Sequence, residues 1–422
     1  MPEAIPEHVA EAAAERSAAQ GGSTPSHKYK RGRFIPVTPS DLEMLLANHV
    51  EPDARCAAMY RDICRLLRET VHRHYQTIKR QLQDDYAPLD PDSDVHSLRR
   101  CDAEELNRRS TQIFATACML LEKANFRPLP RGEVDKAVSA VSPWGLNLQV
   151  DLEVFDRLEV WARGEKVDHR VTRGVSSLFR VQHHRIPLYQ RIMILFRPHA
   201  SNLNNRGYLG DRVYLKLFKN IPEGDIDMVL PGTHVRMTLL DRGKIVFPVV
   251  SGIVVTAWKI IKGALVVAAV GVYGLLAYLT LIIGTVGYGW RSFFGYKRTK
   301  EKYQLNLTQN LYYQKLDGDW GALLRLCDEA EDQEYREALT AWFLLWRQAP
   351  HDGWLMEELD RSAERLLQAE LKRDVDFDVA DAVDKMIRWR MVDVQFDGRL
   401  TARKPEDVAE SLREHLAATP GR

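Results

Sequence analysis

The chain has 422 residues and a mass of 48.4 kDa, enough for two or three domains. Lys+Arg 59 against Asp+Glu 58 leaves no global field to draw nucleic acid, so any basic partner surface has to be local. A mean hydropathy of −0.33 makes most of the chain water-facing and turns any apolar run into an island. The five cysteines (Cys56, Cys64, Cys101, Cys118 and Cys327) form no C-x-x-C pair and have no histidine at zinc-finger spacing, which reads as reduced thiols in a reducing compartment.

Residues 1–33 are rich in Ala, Glu, Ser and Gly and end in the basic run His27 to Arg33, a pattern expected of a disordered arm. The segment carries acids early and has no apolar h-region, so it reads neither as a secretory signal nor as a mitochondrial transit peptide. Order is expected from Phe34. Thr38 or Ser40 caps a helix carrying Leu42, Leu45 and Leu46. A long helix follows from Asp53 to about Asp85, striped with Met59, Ile63, Leu66, Leu67 and Ile78, and is stopped by PLDPDSD. A third helix runs from about Asp102 to Lys123. After Pro130 the period shortens to two. Leu146, Leu148 and Val150 alternate with polar neighbours, and Leu158–Ala162, Ile192–Phe196 and Val213–Phe218 are strand candidates. Asp225 and Asp227 cap a short helix ended by Pro231-Gly232.

From Gly263 to Trp290 no residue is charged. As a helix this run covers roughly 42 Å at ~1.5 Å per residue, beyond the ~20 residues that a bilayer core requires. Ile245–Ile261 is apolar except for Lys259, and Lys262 separates it from the main run. The two segments read as a transmembrane hairpin, with a single pass as the competing arrangement. Arg291, Lys297, Arg298, Lys300 and Lys302 then form a basic cytoplasmic flank, while Lys259 and Lys262 snorkel at the far interface. Helix is expected to continue through Leu305, Leu311 and Leu316, with Gly318 and Gly321 as breaks. Further helices fall at about Ala322–Ala330, Gln333–Arg347, Leu355–Leu371 and Val379–Arg390. The acidic run Asp328, Glu329, Glu331, Asp332 and Glu334 reads as a solvated face. Asp397-Gly398 marks a hairpin between Val392–Phe396 and Leu400–Ala402, so the end has the order of a winged-helix module. Its would-be recognition helix mixes Asp381 and Asp384 with Lys385, Arg388 and Arg390, which argues against DNA and for a module that packs on, or binds, protein.

The expected fold is an α+β membrane protein. It comprises the arm (1–33), a helical region (34–130), an α+β region (131–243), the transmembrane hairpin (244–291), a juxtamembrane helix (292–319) and a winged-helix-like helical domain (320–422). No catalytic motif, metal pattern or phosphate loop is present, and no catalytic residue, metal or cofactor is expected. Lys216, Lys219, Asp225 and Asp227 are the candidate ligand residues: lysine beside carboxylates suits a phosphorylated ligand or an acid/base pair. Surface ion pairs and helix caps account for them equally well.

Three stretches carry a family resemblance: FIPVTPSDL, VYLKLFKNIPEGDIDMVLPGTHVRMTLLDRGKI and NLYYQKLDGDWGALLRLCDEAEDQEYREALTAWFLL. Together they resemble the uncharacterised transmembrane protein 143 family, found in animal mitochondria and in bacteria. The resemblance covers most of residues 34 to 400 and implies paired membrane spans with soluble parts on both sides of them in sequence; it supplies no activity. The acidic N-terminus departs from an imported mitochondrial protein and favours a bacterial inner membrane, with the soluble regions in the cytoplasm. The expected partners are the lipid bilayer and either a protein partner or a second copy, not nucleic acid. The expected role is a non-enzymatic scaffold or regulator. A membrane enzyme acting on a lipid or phosphorylated ligand and a membrane-tethered DNA-binding regulator are the alternatives.

Overall fold

A computed structural model describes residues 32–50, 54–93, 101–130, 132–133, 147–150, 154–173, 181–199, 209–231, 233–236, 254, 258, 283 and 313–418. Residues from Gly32 onward belong to one compact unit. Three helices come first: α1 (Pro39–Ala47), α2 (Ala54–Tyr86) and α3 (Ala103–Lys123). Thr38 caps α1 through Asp41 N–H, and Asp102 caps α3 through Glu105 N–H, each side chain satisfying an amide that the first turn leaves open. The α2 stripe also buries Tyr60, Tyr75 and Tyr86. Two of these phenols find carbonyl partners, Tyr60 on Glu43 at 3.0 Å and Tyr86 on Val213 at 2.9 Å.

The strands follow as β1 (Arg127–Pro128), β2 (Asn147–Val150), β3 (Phe155–Arg173), β4 (Val181–Pro198) and β5 (Tyr214–Pro222). A 3-10 turn at Glu223–Asp225 and the single turn α4 (Ile226–Val229) lead to β6 (Thr233–Arg236), which pairs with β2. The main sheet is antiparallel, in the order β1-β3-β4-β5-β7, where β7 is Lys315–Gly318. One face (Trp161, Met193, Leu195, Leu215, Leu217) joins the helical core. The other (Val160, Ala162, Ile192, Ile194, Phe196, Tyr214, Phe218) closes a smaller core with Ile226, Val229 and Leu230. Burial on both faces explains why these strands read as apolar runs.

The remaining elements are α5 (Asp319–Arg347), α6 (Met356–Leu371), α7 (Val379–Arg388), β8 (Val392–Val394), β9 (Leu400–Ala402) and α8 (Pro405–Ala418). Helix α5 is the hub and touches α1, α2, α3, α6, α7, β5, β7 and β9. Every residue from Gln333 to Leu345 is buried, as befits a helix covered on all sides.

Several expectations need correction. Two helices were expected over 322–347, and one continuous helix is observed. The acidic run is a solvated face only in part: Asp328 and Asp332 are exposed, whereas Glu334 is buried and Glu329 and Glu331 are mostly covered by basic partners. Lys315–Gly318 is strand rather than helix, since Leu217 and Phe218 of β5 offer it an open edge. Among the described residues no helix is long and apolar enough to cross a membrane, which overturns the fold class as a membrane protein. The stretch 244–291, on which the transmembrane hairpin was placed, lies outside the described residues apart from Val254, Trp258 and Ile283. The winged-helix reading also fails. The hairpin around Asp397-Gly398 forms, but α7, the would-be recognition helix, packs against α5 with its Lys385 in the core.

Candidate functional site

A seam of charge runs along α5 where it meets α3, α7 and the sheet. At its first pole Lys385 of α7 is 1% exposed and reaches Glu337 at 3.1 Å, Glu334 at 3.5 Å and Asp381 at 2.6 Å. Lys123, at the end of α3, pairs with Glu334 at 3.3 Å and also with Asp381. Asn125 follows α3 at φ +59°, a left-handed position that asparagine tolerates, and from there its amide donates to Glu337 at 2.9 Å. Gln333 donates to the same carboxylate oxygen at 2.7 Å.

Burial alone would push Lys385 toward neutrality, but Glu337, Glu334 and Asp381 outweigh it and hold the ammonium above the ordinary lysine range. Asp381 is half-buried, which works to raise it, yet Lys385 and Lys123 pull it below the usual carboxylate range. Glu337 lies deepest and goes the other way: burial raises it by more than Lys385 lowers it. Two cations thus face three acids in this cluster. Such a cluster is held by its own members and fixes how α3, α5 and α7 pack.

At the second pole Arg163 of β3, 7% exposed, donates to Glu329 at 2.6 Å and to the Ala124 carbonyl at 2.9 Å. Burial lowers the Arg163 guanidinium to about 10, against the attraction of Glu329. The segment Gly32–Val37 straps this pole. Arg33 pairs with Asp376 and Asp378, Ile35 N–H donates to Gln333, and Arg336 donates to the Val37 carbonyl at 2.7 Å.

A separate cleft of about 390 Å³ between α1, α2 and α5 is lined by Arg65, Arg68, His72, Glu331 and Tyr335 among others. Arg68 in it pairs with Glu43 at 2.6 Å, and His72 lies 2.8 Å from Glu331. Burial pushes Cys64 and Cys327 up to about 12 and Cys118 up to about 11, the opposite of what a nucleophilic thiol needs.

The strand period separates the residues expected to bind a ligand. Lys216 lies on the face of Tyr214 and Phe218, with its Nζ 5.6 Å from the Phe196 ring, while Lys219 lies on the opposite face with Leu215 and Leu217. Asp225 is buried in the 3-10 turn below the smaller core, and the Asp227 side chain is outside the described residues. Lys216 and Lys219 therefore do not converge on one point. The basic positions Lys259, Lys262, Arg291, Lys297, Arg298, Lys300 and Lys302 are likewise outside the described residues. Sequence reasoning passed over Arg163, Arg191, Arg336 and the Glu337–Lys385 pair. The available signal was an arginine at an inward position of an apolar strand, as in VWARG and YQRIMILF.

Residues 189–321 match a protein family of unknown function (DUF3754). The matched segment runs from Tyr189 on β4, through β5 and β7, into the first turn of α5, and so contains Arg191 and Lys219 but neither Arg163 nor Arg336. No solved structure matches the chain.

Proposed function

We propose that this chain is a non-enzymatic interaction protein, a scaffold or regulator that offers the β8–β9 hairpin to a protein partner. The observation that carries this reading is Phe396. It occupies the second position of the turn Gln395–Gly398, closed by Gly398 N–H to the Gln395 carbonyl at 3.0 Å, and its ring is fully exposed. Turn tips favour Gly, Asn, Asp, Ser and Pro, so a phenylalanine held there exposes apolar area that burial against a partner would recover. Val394, two residues back, is also exposed. The body behind the hairpin suits a rigid support: Trp354 and Leu400 exchange backbone bonds of 3.1 and 2.7 Å, which ties the hairpin to the α5–α6 connection.

The test is a photo-crosslinking amino acid placed at position 396 of the full chain, irradiated in cells. The expected result is one discrete adduct, either with another protein or with a second copy, that disappears when Val394 is changed to Ser. A chain that yields no discrete adduct, while melting as the unmodified protein does, overturns the reading.

A further inference from the structure

The register of the main sheet sets like charges side by side. Arg163 on β3 stands directly opposite Arg191 on β4, and Arg191 stands directly opposite Lys219 on β5. Opposed residues of an antiparallel pair project to the same face, and like charges in that relation repel. This row crosses three strands on the face turned toward α5. Beyond it Gly164, at φ +71°, changes the course of β3 so that Lys166 reaches the same place. From the helical side α5 brings Arg336.

These groups line a cavity of about 280 Å³: Arg163, Lys166, Arg191 and Arg336, with Glu329 and Asp332 as the acids. Four cations against two carboxylates leave two positive charges in excess. Glu329 is already shared between Arg163 at 2.6 Å and Arg325 at 3.5 Å. Among the described residues Lys166, Arg191 and Arg336 make no ion pair within 4.0 Å. The Nε groups of Arg191 and Arg336 are buried with no hydrogen-bond partner. Phe34 of the strap stacks between two of the guanidinium groups, 4.0 Å from Arg163 and 5.0 Å from Arg336, and holds them in place without neutralising either.

We propose that this cavity is a phosphate-binding site, taking inorganic phosphate or the phosphate group of a small monoester. A phosphate carries close to two negative charges at neutral pH, which matches the excess, and its oxygens accept from arginine forks and a lysine together. A carboxylate ligand would leave one positive charge uncompensated. The volume falls just below the range of drug-sized ligand sites, which suits a small phosphate better than a nucleotide.

The test is calorimetric titration of the full chain at fixed ionic strength with inorganic phosphate, glycerol phosphate and acetate. Both phosphates should bind, acetate should not, and the tighter of the two identifies the source. Arg191→Gln should weaken phosphate binding by about tenfold or more, because a charge-assisted bond is lost. The same change should raise the melting temperature in phosphate-free buffer, since it relieves the repulsion from Arg163 and Lys219. Lys166→Gln, at an exposed position, provides a second variant with the same expected loss of affinity if Arg191→Gln fails to fold. Acetate binding as tightly as phosphate, or phosphate affinity unchanged in a folded variant, overturns the proposal.

Discussion

Asp319 begins α5 in a left-handed conformation, φ +52°, and accepts the Leu215 N–H at 3.1 Å, so one side chain joins the hub helix to the central strand β5. Burial pushes its carboxyl up to about 6, with the Leu215 bond working in the other direction. The folded state therefore holds this proton more tightly than the unfolded chain, whose value is 3.8. The group's contribution to stability is full below the unfolded value and is lost as pH rises through the folded one. Asp319→Asn keeps the acceptor oxygen and the tolerance for positive φ while removing the titration. Urea denaturation between acidic and neutral pH should show the native protein losing on the order of 2 kcal/mol relative to this variant over that window. A constant difference would rule out Asp319 as the group responsible.

At the scale of elements, local signals and tertiary ones part company. Thr38 and Asp397-Gly398 act within a few residues of themselves: Thr38 forms a cap that its sequence announces, and the hairpin forms with its first strand ending at Val394, so that Gln395 and Phe396 join the turn. The α5 helix is different. Its acidic residues have the composition of a solvated face, and only the arrival of Lys123, Arg163 and Lys385 from three other elements covers Glu334, Glu329 and Glu337. The cationic row was hidden for the same reason. Arg163 and Arg191 are separated by a hairpin whose register no local pattern states, so their opposition becomes visible only once β3 and β4 are paired. The separation of Lys216 from Lys219, in contrast, follows from the period of a strand and was readable in advance. Gly353 shows how tightly the C-terminal elements are fitted. A Cβ there would lie 2.5 Å from the Leu400 carbonyl oxygen and 2.7 Å from Thr401 Cγ2, at φ +79°. Gly353→Ala should cost about 1–3 kcal/mol in a denaturant titration, because neither the backbone oxygen nor the turn can give way cheaply.

For the molecule as a whole, the pairing of β5 with β7 has a consequence for how the chain can be divided. Phe218 stands beside Lys315, so the polypeptide leaves the sheet after β5 and re-enters it at the adjacent strand position, whatever lies between. Among the described residues, none between β5 and β7 adds a strand to the main sheet. On its re-entry the chain supplies α5, whose Leu339, Trp342 and Phe343 are buried in the same core as Ile63, Leu67 and Phe114 from the N-terminal helices. Neither portion can close that core by itself. Fragments ending at residue 236 and beginning at residue 313, produced together as separate polypeptides, should therefore associate and co-purify, and Trp342→Ala should abolish their association. That outcome would make the body of the protein two complementary halves joined at one seam of the sheet, held together by the core they share rather than by an unbroken chain.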